Sequence, residues 1–368
     1  MLLVQSERNA LLAPLTATVG VVERRHTLPI LSNLLLEKKA GAVTLLATDL
    51  ELQVSTRLDN AGASEDFAIT VAARKLFDIV RALPEGAKVK LDSKDSQMVV
   101  SAGKSRFTLQ TLPAADFPRM ETGAAVSDEI SLPQKALKRL LQLVQFAMAS
   151  QDIRYYLNGM LLVLSGKTLR VVATDGHRLS YAETVLDQEA TAREVIIPRK
   201  TVQELVKLLG DVDDPVRLRI GSNQVTIRLP DTELVTKVVD GKFPDYQRVI
   251  PQNQPKQLKV GRQTVMQALQ RASILSNEKF RGVRLIMSEN TLGIVCNNNE
   301  QEEAADEIEV QYSGDPMDVG FNVTYLLDGL GALGSEEVTL SLADANSSML
   351  LTSEGEAGFK YVVMPMRI

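Results

Sequence analysis

The sequence predicts an α+β protein: three tandem copies of one domain, each with two helices laid on antiparallel sheet. Three markers carry that prediction, recurring in the same order at nearly the same interval. Ala47-Thr48-Asp49 returns as Ala173-Thr174-Asp175 after 126 positions (175 − 49), and Asn297-Asn298-Asn299 stands in the corresponding place 124 further on (299 − 175). Arg74-Lys75 returns as Arg199-Lys200 after 125 (199 − 74), and Val323-Thr324 follows after 124 (323 − 199). Phe117-Pro118 returns as Phe243-Pro244 after 126 (244 − 118), then loosely as Met364-Pro365 after 121 (365 − 244). Three markers keeping one beat divide the chain into domains expected at 1–124, 128–252 and 256–368.

A chain of 368 residues holds three units of ordinary domain size, each able to bury its own core. The period is too long for a solenoid, whose units run about 20 to 50 residues. The single cysteine, Cys296, excludes an internal disulfide and suits a reducing cytosol. The short apolar run Met1 to Val4 gives way to Gln5, Ser6, Glu7 and Arg8, so neither a signal peptide nor a membrane span is expected. A cytoplasmic protein is the expectation. Its net charge is −5, which argues against gripping nucleic acid by bulk attraction; a polyanion would need a local basic face.

In the first copy, Leu11, Leu12, Leu15 and Val19 fall at helical spacing within 7–19, although Pro14 should weaken or end the helix. Residues 34–37 and 43–47 predict strands about a turn at Ala40-Gly41, and 53–58 another. Residues 74–83 predict a second helix with Leu76, Phe77, Val80 and Leu83 inward, stopped by Pro84-Glu85-Gly86. Residues 88–91, 97–101 and 106–110 alternate as an antiparallel meander would. Thr122 to Asp128 predicts a linker. The second copy repeats the plan. Leu137, Leu140, Leu141, Val144 and Met148 form an apolar stripe, with Lys135, Lys138, Arg139 and Gln142 as a continuous basic face opposite. A helix burying Val202, Leu205, Val206 and Leu209 follows, then strands at 216–220 and 224–229 and a second linker at 251–257. The third copy predicts helices at 262–275 and 325–333 and strands including 338–342 and 359–364.

Little here suggests catalysis. His26 and His177 are the only histidines, and no Cys/His cluster has metal-ligand spacing; neither a metal nor a cofactor is expected. Gly166-Lys167-Thr168 resembles the end of a phosphate-binding loop, but the preceding glycine is Gly159, too far back, and residues 161–164 and 169–173 read as two strands about a tight turn where a helix should follow. Asp175 and His177 could form an acid–base pair, the basis of a rival reading as a hydrolase. No nucleophile motif accompanies them, and an exposed imidazole at a strand end is the plainer view.

Several blocks resemble the bacterial DNA polymerase III beta subunit family, the sliding clamps. They are Arg154-Tyr155-Tyr156-Leu157-Asn158-Gly159-Met160, Ala173-Thr174-Asp175-Gly176-His177-Arg178-Leu179, Val239-Asp240-Gly241-Lys242-Phe243-Pro244-Asp245-Tyr246, Ile274-Leu275-Ser276-Asn277-Glu278-Lys279 and Tyr361-Val362-Val363-Met364-Pro365-Met366-Arg367. The tail ends in Ile368 where the family commonly has leucine. The resemblance implies a non-catalytic processivity factor: a head-to-tail homodimer of clamp-type domains forming a pseudo-sixfold ring around duplex DNA without regard to sequence.

By the same resemblance, Arg25, Arg74, Gln151, Tyr155 and Tyr156 would contact DNA, with Arg199 and Lys200 added through the internal repeat. Partners such as the replicative polymerase, the clamp loader and repair polymerases would insert a short peptide into a pocket. Its expected lining is Leu157, Thr174, Gly176, His177, Arg178, Leu179, Pro244, Val249, Val362, Met364, Pro365, Met366 and Arg367. The dimer interface would set Lys75, Lys104, Arg106, Phe107 and Leu109 of one chain against Ile274, Leu275 and the acidic run containing Glu300, Glu302 and Glu303 of the other.

Overall fold

The computed structural model describes residues 1–23, 28–39, 41–59, 65–121 and 129–368. Arg25, Ala40 and the whole of the expected first linker lie outside them. Six α-helices fall among the described residues: α1 (Arg8–Val19), α2 (Ala73–Ala82), α3 (Gln134–Val144), α4 (Arg199–Leu208), α5 (Arg262–Ala272) and α6 (Val323–Ala332). They come in pairs, and each odd helix starts the same way. The N–H of Arg8 donates to Ala87 O, that of Gln134 to Asp214 O, and that of Arg262 to Glu336 O, at 2.8, 3.0 and 2.8 Å. Each bond satisfies a first-turn donor that the helix leaves unpaired.

The fold forms two compact units, Met1–Lys135 with Gln203–Val238, and Ala136–Val202 with Val239–Ile368. Each takes one outer copy and part of the middle one. In the first unit a single antiparallel sheet of twelve strands holds three blocks. Leu2–Glu7, Lys88–Lys94, Gln97–Ala102 and Ser105–Leu112 come first, then Phe67–Ala72, Asn33–Lys39, Ala42–Thr48 and Leu52–Leu58. Thr232–Lys237, Gln224–Arg228, Pro215–Ile220 and Ile130–Pro133 complete it. The second unit has a six-stranded sheet, Gly159–Thr174, Arg178–Pro198, Phe359–Val363, Met349–Thr352, Glu337–Leu342 and Lys256–Gly261. Its four-stranded sheet runs Glu303–Glu309, Thr291–Asn297, Gly282–Ser288 and Met317–Asn322.

Successive copies join by one recurring seam. Leu52–Leu58 of the first copy pairs with Thr232–Lys237 of the second, Val54 opposite Leu234. Arg178–Pro198 of the second pairs with Phe359–Val363 of the third, Leu179 opposite Val362. The seam strands start 126 apart on one side (178 − 52) and 127 on the other (359 − 232).

Several expectations need correction. The first helix continues through Pro14, with Leu11 and Leu15 fully buried on either side of it. Packing of that stripe outweighs the lost backbone bond. Phe77 is only half-buried and carries Arg81 over its ring, 5.0 Å from the centroid. The apolar stripe of the second copy leaves α3 at Val144 and finishes in a 3-10 turn, Gln145–Ala147. Its basic face is compensated: Lys135 pairs with Asp213 at 2.7 Å, and Arg139 is held by Glu356 and by the Ala332 carbonyl. Gly166 turns no hairpin. Gly159–Thr174 is one strand along Arg178–Pro198, and Gly166, at φ +57°, marks a shift in register. No helix follows it, which removes the phosphate-loop reading.

Candidate functional site

The turn after the second copy's long strand is built by its own side chains. Thr174 Oγ1 donates to Arg178 O at 2.6 Å and accepts from Gly176 N at 3.1 Å. Asp175 Oδ1 accepts from the N–H groups of His177 and Arg178 at 2.9 and 3.1 Å. The first copy repeats the pattern: Thr48 Oγ1 donates to Leu52 O, and Asp49 Oδ1 accepts from Glu51 and Leu52. In the third copy Asn298 Oδ1 accepts from Glu300 and Glu302. Asn298, one position before the residue that spacing selects, is therefore the equivalent. Asp175 spends its carboxylate on amides and on Arg178, while the His177 ring stacks on Tyr325 with centroids 6.4 Å apart. That geometry does not make them an acid–base pair.

Beside this turn lies a groove of about 200 Å³ lined by Arg154, Tyr156, Leu157, Thr174, Gly176, Arg178, Leu179, Pro244, Val249, Val362 and Met364. Its floor is the second seam, Leu179 beside Val362, over a core of Leu161, Val172, Tyr181, Ile196, Phe243, Tyr246 and Ile250. Gly176 has φ +91°, which is what makes the turn need glycine, and a methyl there would also crowd Arg154 Nη1 at 3.0 Å. Arg154 forms one wall, bidentate to Asp152 at 3.0 and 2.8 Å and donating to Asp175 O at 3.2 Å. Those side-chain bonds bring the Asp152 carboxyl down to about 2. Arg178 donates to Asp175, Asp328 and Phe146 O, and lies 4.4 Å from the Tyr325 centroid. Burial works against its charge, but Tyr361, Asp328 and Asp175 outweigh it and hold its pKa above the ordinary value. Burial also pushes the Tyr361 hydroxyl up; it donates to Tyr325 O.

Nine of the residues expected to form a pocket thus line one groove: Leu157, Thr174, Gly176, Arg178, Leu179, Pro244, Val249, Val362 and Met364. His177, Pro365, Met366 and Arg367 do not line it. His177 stays at the rim, where its carbonyl accepts from Met364 N at 3.0 Å. Arg154 and Tyr156 were missed as lining, although both stand just before Leu157, at the start of and within its 3-10 turn.

The comparisons with known proteins agree over the whole length. The profiles of the DNA polymerase III beta subunit match at residues 3–121 for the N-terminal domain, 131–245 for the central domain and 247–367 for the C-terminal domain. The chain belongs to the DNA polymerase III beta subunit family. It is 49% identical over 362 residues to the beta sliding clamp of Escherichia coli K12, covering 98% of this chain and 99% of the relative. It is 47% identical over 365 residues to that of Pseudomonas aeruginosa, with coverage of 98% and 99%. Among solved structures, the Pseudomonas aeruginosa sliding clamp bound to griselimycin aligns at TM-score 0.94 and 45% identity, covering all of both chains. The Caulobacter crescentus beta subunit aligns at 0.91 and 37%, over 99% of this chain and 100% of that one.

Of the positions that likeness to the beta subunit family assigns to DNA, Arg25 lies outside the described residues. Arg74 and Arg199 make equivalent bonds: Arg74 Nη2 donates to Val22 O at 2.7 Å, and Arg199 Nη1 to Met148 O at 2.6 Å. Each stands in the first turn of a second helix and ties down the chain that follows the first. Lys200 is half-exposed on α4. Gln151 is exposed at φ +57°, Ile153 is 96% exposed and Tyr155 58%. Tyr156 turns the other way, edge-on to Tyr155 at 5.8 Å, and packs against the groove's core.

The interface candidates fall on two sheet edges. Ser105–Leu112 pairs with Gln97–Ala102 along its length but meets Phe67–Ala72 only at Thr111 and Leu112, so Ser105 to Gln110 have one open side among the described residues. Phe107 keeps 37% exposure there, with Lys104 and Arg106 exposed beside it. Leu109, at 8%, is mostly buried in its own chain, because it faces Met98 on the core side of the sheet. Glu303–Glu309 is the outermost strand of the four-stranded sheet. Ile274, 78% exposed, and half-buried Leu275 stand in a 3-10 turn after α5, and Glu300, Glu302 and Glu303 are exposed. Lys75 is exposed on α2.

Proposed function

We propose that the chain works as a ring: two copies, joined head to tail, enclose duplex DNA and hold other proteins on it through the groove. The observation that carries this is the seam used twice within one chain. The Leu52–Leu58 and Arg178–Pro198 strands each receive the next copy's strand. Their third counterpart, 125 positions on (303 − 178), is Glu303–Glu309, an outermost strand. The counterpart of the received strand Thr232–Lys237, 127 positions earlier (232 − 105), is Ser105–Leu112, with its open side. Two chains can repeat the seam twice more, between one chain's third copy and the other's first. A closed ring then has six units and no seam strand left unpaired.

Phe107, Ile274 and Leu275 would be covered at that seam, worth at most about 4 to 9 kcal/mol gross at about 1.5 to 3 each. Glu300, Glu302 and Glu303 of one chain would face Lys104 and Arg106 of the other. The units would be residues 1–124, 128–252 and 256–368, with helices toward the hole.

Enclosure suits a chain of net charge −5. Phosphate contacts alone give dissociation constants of about 10⁻⁴ to 10⁻⁶ M and weaken steeply with salt. A ring slides on weak contacts from Gln151, Tyr155 and a few basic side chains and is retained by topology. Replicative and repair polymerases and the clamp loader would reach it through short peptides in the groove, in the cytoplasm, with no reaction catalysed by the ring itself. Sedimentation at equilibrium should give twice the chain mass; a monomer at replication-like concentrations would contradict the ring.

A further inference from the structure

The last five residues are tied down at two points, one in each of two copies. Met364 N–H donates to His177 O at 3.0 Å, on the second copy, and Met366 N–H donates to Gly320 O at 2.9 Å, on the third. Pro365, between them, has no N–H to leave unpaired. The tail is therefore a strap, and Met364, which lines the groove, is its first tie.

Past the second tie the chain ends over two glycines on neighbouring strands. Gly282 and Gly320 belong to Gly282–Ser288 and Met317–Asn322, which pair with Arg284 opposite Gly320. A methyl on Gly320 would stand 2.5 Å from Met366 O and 2.7 Å from Ile368 Cδ1. One on Gly282 would stand 3.0 Å from Ile368 Cδ1, and its three nearest atoms all belong to Ile368. Neither glycine is among those with positive φ. Close approach of the Met366 carbonyl, not backbone conformation, requires glycine at 320, while a methyl at 282 would press the Ile368 side chain aside by a few tenths of an ångström.

We infer that Gly282 and Gly320 form a seat for Ile368, and that this seat makes Ile368 a positioning residue for the groove. Ile368 does not itself line the groove. It fixes the far end of the strap, which holds Met366 against Gly320 and so limits where Met364 can stand. An apolar residue at 368, 62% exposed but lying against both glycines, keeps the groove's rim in place; a short or polar one releases it. The inference rests on the groove being the ligand site.

Griselimycin, which the Pseudomonas aeruginosa relative binds, supplies the probe. Its affinity and dissociation rate are measured on the full-length protein, on Ile368→Ala, Gly282→Ala, the double variant and Ile368→Leu, with thermal midpoints recorded alongside. Ile368→Ala and Gly282→Ala should each weaken binding by about three- to tenfold, through faster dissociation, where tenfold corresponds to about 1.4 kcal/mol. Midpoints should not move. The double variant should be no worse than Ile368→Ala, because the added methyl at Gly282 then has nothing to displace. Ile368→Leu should bind as the parent does. Parent-like binding by both single variants, or losses that add in full in the double variant, would overturn the seat. An unaltered protein that fails to bind griselimycin would overturn the groove reading itself, and the seat with it.

Discussion

Arg178 reaches Asp328, Nη1 to Oδ2 at 2.6 Å, and so ties the strand that floors the groove to helix α6 of the next copy. The Arg178 side chain keeps only 10% of its exposure, while Asp328 keeps 37%. The same guanidinium also holds Asp175 and the Phe146 carbonyl, so one side chain organises the turn, the floor and the seam.

Arg178→Ala should therefore cost stability as well as ligand binding. Removing a buried cation with three acceptors is expected to cost about 2 to 3 kcal/mol. For a unit of this size that lowers the thermal midpoint by about 4 to 12 °C. Asp328→Asn should cost less than about 1 kcal/mol, since solvent already screens that carboxylate. Calorimetry on the two variants checks the order; equal effects would mean that the Asp328 pair, not the whole network, carries the stability.

Charging the interface turn should separate the chains without unfolding them. Ile274→Asp with Leu275→Asp places two carboxylates where Ile274 is 78% exposed, so the fold loses little while an apolar contact between chains becomes repulsive. The expected product sediments as a monomer with an unchanged circular dichroism spectrum. A dimer of undiminished stability would place the interface elsewhere.

Acid should unfold the protein over a window set by its paired carboxyls. Arg154 brings Asp152 to about 2. For Glu37 and Glu183 burial pushes upward, but Lys39 and Arg119 at Glu37, and Tyr181 and Arg170 at Glu183, outweigh it and leave both lowered. Groups with depressed folded pKa values stabilise the fold fully above their unfolded values, near about 4. That stabilisation is lost as pH falls through the folded values. The thermal midpoint should hold down to about pH 5 and fall between about pH 4 and 2, with a shallower fall for Glu183→Gln. An onset already near neutrality would show that other groups govern the transition.

The repeat was legible because it rests on local chemistry. Thr48-Asp49 and Thr174-Asp175 build the same turn with the same bonds, so the residues recur wherever the turn does. Arg74 and Arg199 recur because each must tie down the chain after a first helix. What stayed hidden depends on partners distant in sequence. Glu356, 217 positions from Arg139, compensates a face that looks basic on its own helix. Pro14 sits within a helix because the sheet beneath secures Leu11 and Leu15. Tyr156 belongs to the groove because a 3-10 turn, Tyr155–Leu157, sends neighbouring tyrosines in opposite directions, and no periodicity signals so short an element.

The central claim is retention by enclosure, and the shape of the DNA tests it most directly. The protein is loaded onto a nicked circular plasmid, freed of unbound chains by gel filtration, and followed before and after a single-cut nuclease opens the circle. Enclosure predicts co-elution with the circle in salt that abolishes phosphate contacts, then escape within minutes of linearisation. Equal retention on circular and linear DNA, or loss from both on raising salt, would mean that the chain holds DNA by contact and that the ring account is wrong.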